Sequence, residues 1–391
     1  RQMCIRDSSG FIDGPVLRVH NTLETLGSIA KQYRKRFNLP VIAITGSAGK
    51  TTTKEMLAAV LGRKLTVLKS PNSENNEIGV PRTLLQLSEE FDAVGVELAA
   101  KRGGDIRYLC EIAQPTIGVL LNIGKAHLEF FGNVEGVAKA KGELLDYIGD
   151  ESSLALVNVD DCVVVKETKR TKGRLLGFGL GRGSHISGEG LALDQEGCGH
   201  FSLQHHPVHL KIPGQHNVYN ALAAAAAGFS CGVSTADICA SLSDFKAVDM
   251  RSEILRKNGI CVINDCYNAS PTSAEAALNL LGDMELDEGG KRIAVLGDML
   301  ELGDMSQALH GELGRNVFRV GVDILLTYGH FSRFVEGAAR KAGMKCVQLF
   351  DDKGELAMHL SKVAQAGDAI LVKASRDVAF EDIVERLLVL S

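Results

Sequence analysis

The stretch Ile44-Thr45-Gly46-Ser47-Ala48-Gly49-Lys50-Thr51-Thr52 constrains this chain more than any other. It stands between a short apolar run, Val41–Thr45, and a segment carrying Met56, Leu57, Val60 and Leu61 at helical spacing. A strand, a glycine-rich turn and a helix in that order form a phosphate cradle. Small residues let backbone N–H groups approach phosphate oxygens, and the helix N-terminus adds partial positive charge. Lys50 supplies a point charge for the outer phosphates, and the Thr51 hydroxyl supplies a magnesium ligand. The full P-loop asks for glycine where Ile44 stands, so the match is to the shorter TGxxGKT form. A plain glycine-rich turn is the alternative; the Lys-Thr pair favours nucleotide phosphate.

The pattern of strand, turn and helix then repeats. Ala93–Glu97, Thr116–Asn122 and Ser153–Asn158 are short apolar runs ending in polar residues, as buried parallel strands do. Glu97 ends one of them, where an acid that helps hold a nucleotide's metal belongs, and His127 follows the end of another. A solvated glutamate and a satisfied structural histidine are the plain alternatives. Residues 184–213, with several glycines and histidines, read as antiparallel strands and loops, and 216–228 as an alanine-rich helix. A second series begins near Ile260, with candidate strands at 260–264, 292–296, 323–327, 345–349 and 369–373. Ser270 and Pro271 are a helix N-cap and first position. The expected fold class is α/β: a central P-loop-type, mostly parallel sheet domain and a C-terminal Rossmann-like, doubly wound domain. The expected bounds are 38–246 and 247–391, preceded by 1–37 with an amphipathic helix at 23–37 built on Leu23, Leu26, Ile29, Ala30 and Tyr33.

Composition excludes other classes. A net charge of -5 argues against a nucleic-acid binder that relies on a basic surface. The longest apolar stretch, Ala221–Ala227, is too short to insert into a membrane. The nine cysteines are dispersed without a CxxC pair, which disfavours structural zinc and fits a reducing cytoplasm. His200, His205, His206 and His209 lack a ligand-rich partner segment and read as surface residues. Arg1–Gly10 matches no pattern and reads as a leader foreign to the fold.

From about Leu23 onward the chain resembles the Mur ligase family. The resemblance rests on Thr45–Thr53, Asn75-Asn76-Glu77-Ile78-Gly79-Val80-Pro81, Asn122–His127, Ala138–Glu143 and Gly214–Ala221, in that order. Asp265-Cys266-Tyr267-Asn268-Ala269-Ser270-Pro271 and Val295–Gly303 are similar to the branch that adds D-alanyl-D-alanine. The resemblance implies ATP-driven amide formation between UDP-N-acetylmuramoyl-tripeptide and D-alanyl-D-alanine through an acyl phosphate, by a cytoplasmic monomer. It implies two Mg²⁺ ions, held by Thr51, Glu97, His127 and Lys141, the last as a carbamate. The alternative for Lys141 is a solvent-facing helix lysine. Asn217 and Asn268 would meet the adenine, and Arg251 and Asp265 the phosphates and ribose; a linker ion pair is the alternative for Arg251. Lys50, Glu97, His127 and Lys141 would carry catalysis, and Asn76, Lys373, Ser375 and Arg376 would face substrate.

The sequence departs from the family in three places. Ala374 replaces a glycine, Glu97-Leu98-Ala99-Ala100 lacks the glycine after the leucine, and the N-terminal UDP-sugar domain is expected to be almost wholly missing. Other amide ligases of the superfamily, folylpolyglutamate- or cyanophycin-like, and a nucleotide-binding module without ligase activity are the rival readings.

Overall fold

The computed structural model describes residues 18–390, and the expected leader Arg1–Gly10 lies outside them. Its fold is α/β, built on two sheets. The first contains β1 (Val41–Thr45), β2 (Val67–Lys69), β3 (Ala93–Glu97), β4 (Ile117–Leu120), β5 (Leu154–Asn158), β6 (Arg174–Gly179), β7 (Ile186–Leu193), β8 (Cys198–Leu203) and β9 (His206–Pro213). They lie in the order β2-β3-β1-β4-β5-β6-β7-β8-β9. Pairing is parallel from β2 through β7 and antiparallel across β7, β8 and β9. The second contains β10 (Glu253–Lys257), β11 (Ile260–Asn264), β12 (Arg292–Gly297), β13 (Ile324–Tyr328), β14 (Cys346–Phe350) and β15 (Ala369–Lys373), ordered β10-β11-β15-β12-β13-β14.

Every residue of β1, β3 and β5 is buried, as expected of strands covered by helices on both faces. Three strands were absent from the sequence reading. β2 is a three-residue edge, and β6 opens on Arg174 and contains two glycines. β10 alternates polar and apolar residues and forms an antiparallel edge on β11, making the second sheet mixed rather than wholly parallel. The run expected at 116–122 is a strand only over Ile117–Leu120, and the loop beyond it serves the site.

The helix expected at 23–37 spans Thr22–Arg34, capped by the Asn21 side chain. Its apolar stripe is narrower than expected. Leu26 and Ala30 are buried, but Leu23 and Ile29 are each 38% exposed. Arg34 is buried instead; its guanidinium donates to the carbonyls of Phe37, Leu39 and Ala113 and so fixes the helix end against the next strand. The alanine-rich helix runs Gln215–Ser230 and packs on the helix Lys50–Leu61 that follows the glycine-rich loop. Small side chains make that approach close: a Cβ on Gly228 would lie 2.6 Å from Val60 Cγ1.

The two sheets meet through several contacts. Lys125 pairs with Glu312 at 2.8 Å, Arg256 with Glu196 at 2.7 Å, and Glu285 N–H donates to Gln195 O. Gly124 leaves no room for a side chain, since a Cβ there would stand 2.3 Å from Thr272 Oγ1.

Candidate active site

Parallel strands place their loops at one edge, and the carboxyl ends of β3, β1 and β4 lie side by side there. Glu97, the last residue of β3, is level with Ile44 of β1, and Thr45 is level with Leu120 of β4. The loop Gly46–Gly49, Glu97 and Asn122 therefore converge by strand register. The carboxyl ends of β11 and β15 in the second sheet bring Asp265 and Lys373 to the facing wall. Between the walls is a cleft of about 590 Å³, bordered by Ser47–Thr52, Glu97, His127, Arg251, Asp265 and Lys373 among others.

The phosphate loop is held from both sides. Asn122 accepts from Ala48 N–H at 2.9 Å and donates to Ala48 O at 3.1 Å, while Ser47 Oγ accepts from Gly124 N–H at 2.9 Å. Gly49 adopts φ +82°, and a Cβ there would stand 2.3 Å from Asn220 Oδ1. Lys50 folds back to donate to Gly46 O at 2.9 Å. Burial lowers its pKa and Arg251 adds to the effect, with Glu97 opposing. Thr45 and Gly46 support the cleft from beneath; the buried Thr45 hydroxyl donates to Leu98 O at 2.9 Å.

Glu97 is fully buried at the cleft. Its Oε2 accepts from Asn75 Nδ2 at 3.2 Å and its Oε1 lies 3.5 Å from Lys54 Nζ, yet Oε1 accepts no hydrogen bond. Lys54 is itself engaged by the carbonyls of Ser70 and Asn72. A buried carboxylate oxygen with spare lone pairs and the Thr51 hydroxyl, both bordering the cleft, are donors of the kind a hard cation takes. Lys141 is 1% exposed on the helix Val134–Tyr147, so the solvent-facing reading is wrong. Its amine has no hydrogen-bond or ion-pair partner among the described residues. Burial, aided by the Lys50 charge, drives its pKa well below the usual lysine range. His127 sits at φ +52° with Nδ1 against Glu301, and burial lowers its pKa while Glu301 opposes.

The facing wall is a network. Asp265 accepts from Ser252 N–H at 3.0 Å and pairs with Lys373 at 2.5 Å. Lys373 is 2% exposed and also donates to Asn268 O, so it braces this wall at the cleft's border. Ser375 is likewise tied down, donating to Ala269 O and accepting from Leu300 N–H. Arg376 is half exposed, lies 2.9 Å from Glu381 and has its guanidinium near the Tyr267 ring. Arg251 stacks on the same ring at 3.9 Å and donates to Ser73 Oγ at 3.0 Å; Ser73 Oγ is in turn 3.2 Å from Thr51 Oγ1. That chain links the second sheet's domain directly to the phosphate loop, which disposes of the linker ion pair for Arg251.

Two expected residues lie differently. Asn76 is exposed outside the cleft, where its side chain accepts from Gly79 N–H at 3.0 Å; its neighbour Asn75 faces Glu97 instead. Asn217 borders the cleft, but its amide donates to Pro213 O and accepts from Asn220. Asn268 is exposed at the cleft, its Oδ1 accepting from Ala269 N–H. Ser73, Tyr267 and Glu301 border the cleft and were not singled out beforehand. Tyr267 and Glu301 lay in segments already read as family-like, whereas Ser73 carried no local signal.

A P-loop sheet and a Rossmann-like sheet closing on an acid- and lysine-lined cleft define an ATP-dependent ligase of the Mur type. The Mur ligase middle domain matches residues 44–228, the Mur ligase glutamate ligase domain matches residues 250–376, and the chain belongs to the Mur ligase family. The UDP-N-acetylmuramoyl-tripeptide--D-alanyl-D-alanine ligase of Bacillus subtilis is 36% identical over 377 residues, covering 95% of this chain and 81% of that protein. Its Escherichia coli counterpart is 35% identical, covering 96% and 83%. Among solved structures, MurF from Acinetobacter baumannii superposes with a TM-score of 0.88 at 32% identity, covering 97% of this chain and 83% of its own. MurF from Thermotoga maritima in complex with ADP superposes with a TM-score of 0.85 at 30% identity, covering 98% and 87%.

Proposed function

We propose that this chain joins the terminal carboxylate of UDP-N-acetylmuramoyl-tripeptide to the amine of D-alanyl-D-alanine, driven by ATP, as a monomer in the cytoplasm. The observation that carries the reading is the convergence of the phosphate loop, the orphaned Glu97 oxygen and His127 on one cleft, closed by Arg251 from the other domain, with the partnerless Lys141 buried within reach of the Lys50 charge. The relatives that align with 95% and 96% of this chain bear this activity in their names.

A free carboxylate is a poor acyl donor, so its oxygen must first become a leaving group. The loop N–H groups of Ser47–Thr52 and the Lys50 ammonium orient the γ-phosphate of ATP. A carboxylate oxygen of the tripeptide attacks γ-phosphorus, the bond to the bridging oxygen breaks, and ADP departs. The dipeptide amine then attacks the acyl carbon, loses a proton, and inorganic phosphate leaves with the bonding pair. Arg376, the one exposed cation of the Lys373–Arg376 segment, is assigned to the dipeptide's carboxylate. Asp265, braced by Lys373, is assigned to the ribose, and Asn217 and Asn268 to the adenine edge.

The donors fit Mg²⁺. Thr51 and Glu97 would hold one ion, and His127 with a carbamylated Lys141 a second. Bound there, the ions would neutralise the phosphoryl oxygens as charge develops. A buried lysine held neutral is a nucleophile for CO₂: its nitrogen bonds the carbon and releases a proton, leaving an anion where a cation was costly.

The test is phosphate release with ATP and Mg²⁺, while mass spectrometry follows the pentapeptide product. Product is expected only when both UDP-N-acetylmuramoyl-tripeptide and D-alanyl-D-alanine are present. It should fall severalfold in CO₂-depleted buffer and recover with bicarbonate. Phosphate release without pentapeptide would sink the ligase assignment, and indifference to bicarbonate would sink the carbamate.

A further inference from the structure

Glu301 lies in the C-terminal domain, in the loop after β12, yet its carboxylate contacts His127 Nδ1 in the other domain. The same carboxylate pairs with Lys101 at 2.7 Å, and its backbone carbonyl accepts from Glu129 N–H at 3.2 Å. Three separate contacts thus seat one residue beside His127. Glu301 also adopts φ +60°, a left-handed conformation that costs a non-glycine residue on the order of 1 kcal/mol or more. Burial alone does not account for it, since its side chain is 31% exposed. The neighbouring acid of this loop, Asp298, is turned the opposite way and accepts from Ser332 N–H and Oγ within its own domain.

We infer that Glu301 is a positioning residue that fixes the tautomer and orientation of His127 from across the domain boundary, so that His127 is a competent metal ligand only when the domains are closed. This rests on the proposal that His127 holds Mg²⁺. A carboxylate accepting from Nδ1–H leaves the Nε2 lone pair free as the donor, and Nε2 has no hydrogen-bond partner among the described residues. Metal-ligating histidines are commonly oriented by such an outer carboxylate. Here the carboxylate comes from the other domain, about 170 residues further along the chain, so metal affinity and closure become one equilibrium. Lys101 holds the glutamate by its other side, at 2.7 Å.

The experiment is Mn²⁺ binding, read by electron paramagnetic resonance on the ADP-saturated full chain with no acceptor present. Variants are Glu301→Ala, Glu301→Asp, His127→Ala and the Glu301→Ala/His127→Ala double variant. Glu301→Ala is expected to weaken the affected Mn²⁺ site about 10-fold, within the range for outer-shell partners, and Glu301→Asp to restore part of it. In the His127→Ala background the Glu301 change should have almost no further effect, because the glutamate acts through that ring. Circular dichroism and melting temperature identify any variant that has simply unfolded. Wild-type affinity in Glu301→Ala, alongside weakened binding in His127→Ala, would overturn this inference alone. Unchanged affinity in His127→Ala would overturn the metal assignment of His127 as well. Additive losses in the double variant would show Glu301 acting elsewhere.

Discussion

Single residues in this cleft are placed by exclusion as much as by attraction. Gly49 combines a left-handed backbone with a position that Asn220 leaves no room to extend. Gly49→Ala therefore meets two penalties, backbone strain of about 1–3 kcal/mol and a contact that displaces Asn220. Asn220 in turn accepts from Thr53 at 3.1 Å and donates to Asn217, so the disturbance reaches the first turn of the phosphate helix. The expected outcome is a loss of ATP affinity of at least 10-fold, measured by calorimetry, with the protein still folded. Unaltered affinity would mean the loop does not hold phosphate in this conformation. Lys141 illustrates the opposite case, a charge buried without a partner. Its lowered pKa means that the unfolded chain holds the extra proton, so the site opposes folding below the usual lysine pKa. Stability should rise as pH increases from the lowered value toward the unfolded one, unless an anion such as a carbamate has already replaced the charge.

At the scale of elements, caps and edges decide where chains turn into the site. The helix Pro271–Asp283 begins with a capping box in which Ser270 and Ser273 bond reciprocally, with Pro271 at the first position. Its first turn forms part of the cleft wall, since Ser270, Thr272 and Ser273 all border it. Ser270→Ala should cost about 1 kcal/mol in urea denaturation, with the slope unchanged. A neutral result would show that Ser273 alone suffices. The expectation of Ser270 as cap and Pro271 as first residue came from side-chain chemistry three or four positions long, and it holds. The missed strands β2, β6 and β10 have no such local signature: a short edge, a strand opening on charge and an amphipathic edge depend on neighbours for their identity.

At the scale of the whole molecule, the two domains are joined by few but directed contacts. Lys125–Glu312 is an exposed pair on both sides and contributes at most about 1 kcal/mol. Arg251 is better placed, stacked on Tyr267 and bonded to Ser73, which neighbours the Thr51 hydroxyl. Arg251→Ala should lower kcat/KM for ATP by about 10- to 100-fold, the range for losing a charge-assisted hydrogen bond. Arg251→Lys should recover only part, since an ammonium cannot both stack and donate in the same fork. Full activity in Arg251→Ala, measured by steady-state phosphate release, would separate closure from chemistry.

The sequence by itself determined everything that depends on neighbouring residues. Strand Val41–Thr45, the glycine-rich turn and the helix after it are set by burial and conformational freedom over a dozen positions. Because parallel strands end at one edge, Glu97 and the Asn122–His127 loop were legible as site residues from their place at strand ends. Tertiary structure alone decided which groups finally touch. Asn75 rather than Asn76 reaches Glu97, Lys373 braces Asp265, and Ser73 and Glu301 receive partners more than 170 residues away. The Ser73 and Glu301 contacts follow from the angle between two domains. No periodicity or local propensity records that angle, because it is fixed by the packing of surfaces distant in the chain.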